Sequence, residues 1–229
     1  MKFFLLIISV VLLFSWCGQR LEKDIIDNIS EIREFMLFSK DSGASVSMMC
    51  GYREMEYKLN GISTELIEFG VVTVRMFEEI SGELDMNYVL FVGTEKFAGV
   101  MSKNPFDGTF VIDIHKIIDK IANVILQLEL GEWDRSYKLT RIDEDWGIKS
   151  RDCIKVLIER YEKELKNFYN KKEWCAEVYV KIVDESDRNV SNFYFYISVL
   201  GRNGDSISMI VSPQTGEILA SNSNMQKLA

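Results

Sequence analysis

The sequence predicts an α+β fold, about four helices packed on predominantly antiparallel strands, with a C-terminal helix followed by a β-meander. Three observations carry this reading. Apolar residues recur at intervals of three and four in several stretches. Other stretches, rich in β-branched and aromatic residues, alternate with polar residues between turn dipeptides. The turns between strand pairs are too short for the crossovers that parallel strands need. Composition agrees: of 229 residues 47% are apolar and 27% charged, with 2 Pro, which supports a packed core and excludes a long disordered linker.

The chain opens with Met1-Lys2, an apolar run from Phe3 to Phe14, then Ser15, Trp16, Cys17 and the polar Gly18-Gln19-Arg20. A short charged segment followed by an apolar run of this length is the pattern of a secretory signal peptide over residues 1–17, with small residues at Ser15 and Cys17 directing cleavage before Gly18. A membrane-spanning helix needs about 20 apolar residues, so an uncleaved anchor is the weaker alternative. A bacterial lipoprotein signal resembles this segment in placing Cys17 just after the apolar run, but that family wants a small residue before the cysteine, where Trp16 stands. The remainder divides into an N-terminal α+β region, 18–142, and a C-terminal helix plus meander, 143–229, or forms one continuous domain.

Leu21, Ile25, Ile29, Ile32 and Met36 fall at helical spacing, and Asp41-Ser42-Gly43 ends that helix. Residues 44–59 read as extended, bent at Cys50-Gly51 and closed by Asn60-Gly61. Leu66 to Phe77 reads as a strand because of Val71-Val72-Thr73-Val74, with a helix as the alternative. Ser81-Gly82 turns it into an alternating strand, Leu84 to Val92. A short helix over Glu95 to Met101 leads to Asn104-Pro105, and Asp107-Gly108 turns into a strand at Thr109 to Ile112.

The most regular helical stripe is Ile114, Ile117, Ile118, Ile121, Val124, Ile125 and Leu128, with Asp113 as N-cap and Gly131 beyond its end. Trp133 to Ile142 reads as an edge strand before the acidic turn Asp143-Glu144-Asp145. Ser150 caps a helix with the face Ile154, Leu157, Ile158, Tyr161, Leu165 and Phe168. Strands follow at about 175–183, 192–200 and 206–211, the last two joined by Asn203-Gly204, then a short strand at 217–220 and a frayed tail from Ser221.

This last order, helix then three strands, ending in Ser206-Ile207-Ser208-Met209-Ile210-Val211-Ser212-Pro213-Gln214-Thr215-Gly216-Glu217-Ile218-Leu219, resembles the C-terminal part of PepSY domains. The resemblance covers about the last third of the chain. It departs at Ser212-Pro213, where an acidic residue is usual, and in a longer loop at Asp184 to Asn189. It implies an extracytoplasmic module of the protease-inhibitor or chaperone kind.

Charge excludes some partners. With 27 Lys+Arg against 35 Asp+Glu the formal charge is -8, and no basic stripe is present to neutralise phosphates, so nucleic acid is not an expected partner. Membrane contact is expected only through the signal segment or a lipid on Cys17. No cofactor, metal site or catalytic set is expected, as phosphate-loop, dinucleotide and nucleophile motifs are missing from the sequence. The single histidine, His115, could act as a base or metal ligand with Asp113 and Asp119, but reads more simply as one of a solvated pair. Asp143-Glu144-Asp145 with Asp152 lacks the alternating ligand spacing of a calcium loop. Trp133, Trp146 and Trp174 read as core rather than as a sugar or peptide groove.

Alternation of Phe193, Phe195 and Ile197 against Tyr194, Tyr196 and Ser198 puts two tyrosines on one sheet face, the candidate protein-binding surface. Export would permit a disulfide, and Cys50 with Cys175 is the preferred pair, against the alternative that Cys50, Cys153 and Cys175 are all free thiols. The expectation is therefore an exported, non-enzymatic domain that binds another protein or a cell-envelope component. A secreted hydrolase with unidentified residues is the alternative, and a PepSY-like inhibitor or chaperone the third reading.

Overall fold

The computed structural model describes residues 20–55, 64–78, 85–116 and 123–225. It corrects the α+β expectation: the protein is mostly β, a closed eight-stranded barrel extended by a second sheet. Among the described residues there are two short α-helices, α1 over residues 20–26 and α2 at Asp152–Leu165.

The strands are β1 (Ile29–Lys40), β2 (Ala44–Glu54), β3 (Leu66–Met76), β4 (Met86–Val92), β5 (Glu95–Lys103), β6 (Phe110–Ile114), β7 (Val124–Leu130) and β8 (Trp133–Arg141) in the barrel. After α2 come a two-residue hairpin, β9 (Tyr169–Asn170) and β10 (Glu173–Trp174), and the meander β11 (Ala176–Asp184), β12 (Phe193–Gly201), β13 (Ser206–Val211) and β14 (Ile218–Asn224). The barrel runs β1-β2-β3-β6-β5-β4-β7-β8 and closes where β8 returns to β1, at Leu37 opposite Arg141 and Phe38 opposite Thr140. The meander joins the same edge of β1 further back, β11 lying parallel to it with Ile29 opposite Val178 and Ile32 opposite Val180. Thus β1 is forked, serving two sheets along one edge.

Each expected helix that became a strand has a physical reason. Leu21, Ile25, Ile29, Ile32 and Met36 do share one core, but only the first two sit on a helix. β1 carries two register shifts, between Ile29 and Glu31 and between Arg33 and Phe35, so its buried residues fall at helix-like intervals instead of alternating. The stripe from Ile114 to Leu128 is split. Ile114 ends β6, residues 117–122 lie outside the described residues, and Val124, Leu126, Leu128 and Leu130 alternate inward along β7. Asp113 is a strand residue opposite Val71, not an N-cap, and Gly131 sits at φ 61 in the tight turn between β7 and β8. Residues 95–101 are strand β5, with Phe97 and Met101 packed on the barrel core and Lys96 and Val100 outside. β3 and β4 are not paired with each other, the turn Ser81-Gly82 expected to join them lies outside the described residues, and β14 extends through Ser221–Asn224, which reads as tail in the sequence. The turn Asn60-Gly61, the signal segment and the last four residues lie outside the described residues.

The barrel interior is filled by side chains, among them Phe35, Met48, Val72, Met86, Leu90, Phe110, Leu126 and Tyr137. Its outer wall carries Lys96, Gln127, Glu129, Asp134 and Lys138, all exposed. An apolar inside and a charged outside is the inverse of a lipid-facing barrel, and no described helix is long and apolar enough to cross a membrane. A second core lies between α2 and the apolar face of the meander: Ile154, Leu157, Tyr161 and Leu165 against Val178, Val180, Phe195, Ile197, Ile207 and Met209. Ser150 does not cap α2; its hydroxyl donates to the Arg33 carbonyl beside the β1 bulge. Leu157 is fully buried there, so Leu157→Ala should cost about 2–5 kcal/mol as a core truncation, measured by urea titration.

Candidate functional site

The meander's alternation places Val178, Val180 and Ile182 in the second core and Glu177, Tyr179 and Lys181 on the opposite face. On β12 the same parity gives Phe195, Ile197 and Val199 to the core and Tyr194, Tyr196 and Ser198 to that polar face. Strand pairing builds rows across it. Tyr196 stands between Lys181 and Ile210; Ser198 stands between Tyr179 and Ser208, and Asn222 extends that row on β14. The row through Tyr179 continues through Glu31 of β1 to Arg53 of β2 and Ile67 of β3. The polar face of the second sheet is therefore continuous with the outer wall of the barrel.

At its centre Glu31, 3% exposed, is held by Arg33 at 2.8 Å and Lys181 at 3.1 Å. Burial alone would raise its carboxyl pKa, but the two cations and their hydrogen bonds outweigh it and the pKa is lowered. Arg33 also donates to the Ile182 carbonyl at 3.1 Å, tying β1 to β11. The Tyr179 hydroxyl donates to Glu177 at 2.7 Å, and Lys181 lies 5.3 Å above the Tyr179 ring. Because the folded pKa of Glu31 lies below its unfolded value, the stability it contributes is present above about pH 4.5 and is lost as pH falls through the folded pKa. Urea titrations between pH 3 and 7 should show Glu31→Gln less stable at neutral pH and with a shallower acid loss than wild type.

Tyr194 and Tyr196 share this face but are half-buried rather than exposed, and Glu177, Tyr179 and Ser198 on it are buried. The cysteines depart from the preferred pairing: Cys50 lies inside the barrel core and Cys175 precedes β11 in the other sheet, and the two are not joined. Cys153 is a free, buried thiol whose pKa burial pushes up to about 12, which makes it unreactive. His115 is exposed just after β6 and not on a helix; its neighbour Asp113 pairs with Arg53 at 2.6 Å, while Asp119 lies outside the described residues. His115→Ala should change stability by less than about 0.5 kcal/mol.

The acidic turn also differs from a solvated loop. Asp143 is 1% exposed, bound by Arg141 at 2.7 and 2.9 Å, while Glu144 and Asp145 are exposed. Trp146 and Trp174 belong to the second core and Trp133 packs on the barrel core. Among the described residues no group of three or more His, Cys, Asp or Glu side chains could hold a metal ion.

No known protein family, curated protein or solved structure matches this chain. The sequence missed Glu31, Arg33 and Lys181 as a cluster because their meeting depends on a parallel pairing between the two ends of the chain. The signal within reach was local: Glu177, Tyr179 and Lys181 alternate with Val178, Val180 and Ile182.

Proposed function

We propose that this protein is an exported, non-enzymatic binding protein whose polar sheet face engages another protein or a cell-envelope component. The observation that carries the reading is the half-buried pair Tyr194 and Tyr196, Tyr196 opposite Lys181, on a face anchored by the Glu31–Arg33–Lys181 cluster. Tyrosine offers large contact area at little entropic loss, and a strand-borne pair is pre-organised for a partner. Helix α2 followed by β11, β12 and β13 is the segment that carries the PepSY resemblance, and a protease is the partner class that resemblance implies.

The test is capture from the producing cell's envelope by the purified full chain, compared with a Tyr194→Ala/Tyr196→Ala variant. A specific partner retained by wild type and lost by the folded variant supports the reading. Equal retention removes this face from it. Export is checked separately by mass spectrometry of the N-terminus: a start at Gly18 is expected, whereas a start at Met1 overturns cleavage and a diacylglyceryl group on Cys17 replaces secretion by anchoring.

A further inference from the structure

We propose that the outer wall formed by β5, β4, β7 and β8 is the contact face of a symmetric dimer, covered by the same wall of a second copy of this chain. The inference is independent of the tyrosine-bearing face, since it rests on side chains of the barrel alone.

Pairing across the four strands sets outward-facing residues in rows. The first row is Lys96, Phe91, Ile125 and Lys138, one residue from each strand in order. Two residues along the strands stands a middle row, Ala98, Val89, Gln127 and Ser136, and two further stands the third, Val100, Asn87, Glu129 and Asp134. The wall is therefore basic at one end and acidic at the other. Between and beside the charges lies apolar surface: Phe91, Val89 and Ile125 are half-buried, Ala98 is exposed and Val100 is 56% exposed. None of these five belongs to either core, so their apolar surface faces outward and takes no part in holding the barrel together.

The charges are equally unspent. Glu129 and Asp134 stand directly opposite each other in the ladder, an arrangement in which like charges repel. Among the described residues Lys138, Glu129 and Asp134 make no ion pair. The acidic end is also hollow, a depression of about 360 Å³ lined by Asn87, Val89, Gln127, Glu129, Asp134 and Ser136. A lysine side chain that entered it from outside would meet both carboxylates.

The wall itself supplies that lysine. A two-fold axis lying in the interface and running along the middle row reverses the strand direction of the second copy, so each first row faces a third row. Lys138 of each copy then stands over Asp134 and Glu129 of the other, Phe91 over Asn87, and Val89 meets Val89 on the axis. An axis parallel to the strands would instead set like rows against each other. A charge of -8 on each copy opposes their approach, so a contact between copies needs opposite charges facing one another, and this arrangement provides them twice. The patch measures about 14 Å in each direction, which is small for a stable interface, and the dimer is accordingly weak and concentration-dependent.

Sedimentation velocity of the purified protein from about 10 µM to about 1 mM tests the contact. A monomer–dimer equilibrium is expected, weakened about tenfold or more by Lys138→Glu and by Asp134→Lys taken singly. An equimolar mixture of these two variants should dimerise as wild type does, because one contact then keeps Lys138 over Asp134 and in the other the two substituted residues face each other with opposite signs. Circular dichroism shows whether the variants fold; should either not, Ala98→Lys, which brings two lysines together on the axis, must weaken the dimer about tenfold. A wild type that stays monomeric overturns the proposal, as does dimerisation unchanged in the folded variants or a mixture of folded variants that does not dimerise. Loss of the dimer in Tyr194→Ala/Tyr196→Ala would place the contact on the other face and overturns it as well. A dimer that persists in that variant leaves this wall standing whatever the outcome of partner capture.

Discussion

Gly51→Ala is expected to destabilise the fold by more than about 4 kcal/mol or to prevent folding, the range reserved for forced backbone rearrangement. A Cβ at this position would stand 1.9 Å from the Ile32 carbonyl oxygen and 2.9 Å from the Arg33 Cα. Both are backbone atoms of β1, so no rotamer change relieves the clash. The site is also where β1 bulges: Arg33 pairs with Gly51 and Phe35 with Cys50, leaving Glu34 over. Relaxation would have to move the bulge, and with it the residues divided between the two cores, Ile32 and Met36 on one side and Phe35 and Leu37 on the other. Gly43→Ala is the control. Its added Cβ meets the nearest atoms at 3.5 and 3.6 Å, ordinary contact, and its change should stay within about 1 kcal/mol. Urea titration followed by circular dichroism compares the two. A Gly51→Ala protein of near-wild-type stability would show that the β1 bulge is not tightly held.

Asp143→Ala should cost about 3–5 kcal/mol, the penalty for removing one partner of a buried ion pair. The carboxylate accepts from Arg141 through both oxygens and from the Met36 backbone N–H at 3.1 Å, while Ile142 donates to the Met36 carbonyl at 3.2 Å. Met36 stands where the edge of β1 passes from β11 to β8, so it has no strand partner on that side and the acidic turn supplies one. Removing the carboxylate strands a buried N–H and the guanidinium over the Phe35 ring. Asp143→Asn keeps an acceptor and should lose less. Equal losses in the two variants would put the effect on charge rather than on the Met36 hydrogen bond.

The meander, the helix before it and most barrel strands are legible in the sequence because alternation, turn dipeptides and a clean apolar stripe act within a few residues. Val124 to Leu130 was misread because an Ile-rich run satisfies both periods, and only closure of the barrel selects the strand. β1 was misread because its bulges erase the alternation that would have marked it. Tyr194 and Tyr196 could be placed on a face by parity alone. The meeting of Lys181, beside Tyr196, with Glu31 could not be placed, since ladder pairing between distant segments leaves no local trace. The burial of Glu54 was equally hidden: a carboxylate at a strand end looks like any solvated acid until its surroundings are known.

The forked strand has a consequence for the order of assembly. β8 and β11 compete for one edge of β1, β8 antiparallel and β11 parallel to it, and β8 is adjacent in the chain long before β11 is made. A β8 pairing that ran on past Leu37 toward Ile32 would occupy the place of β11 and leave the meander without a dock, a non-native pairing that must unzip before the native state forms. Folding should therefore show a slow phase that tracks this exchange, as expected of topologies dominated by distant pairings. Native-state hydrogen exchange should find the amides of β1, β2 and β11 opening together, with no partly folded species that keeps the barrel and releases the meander.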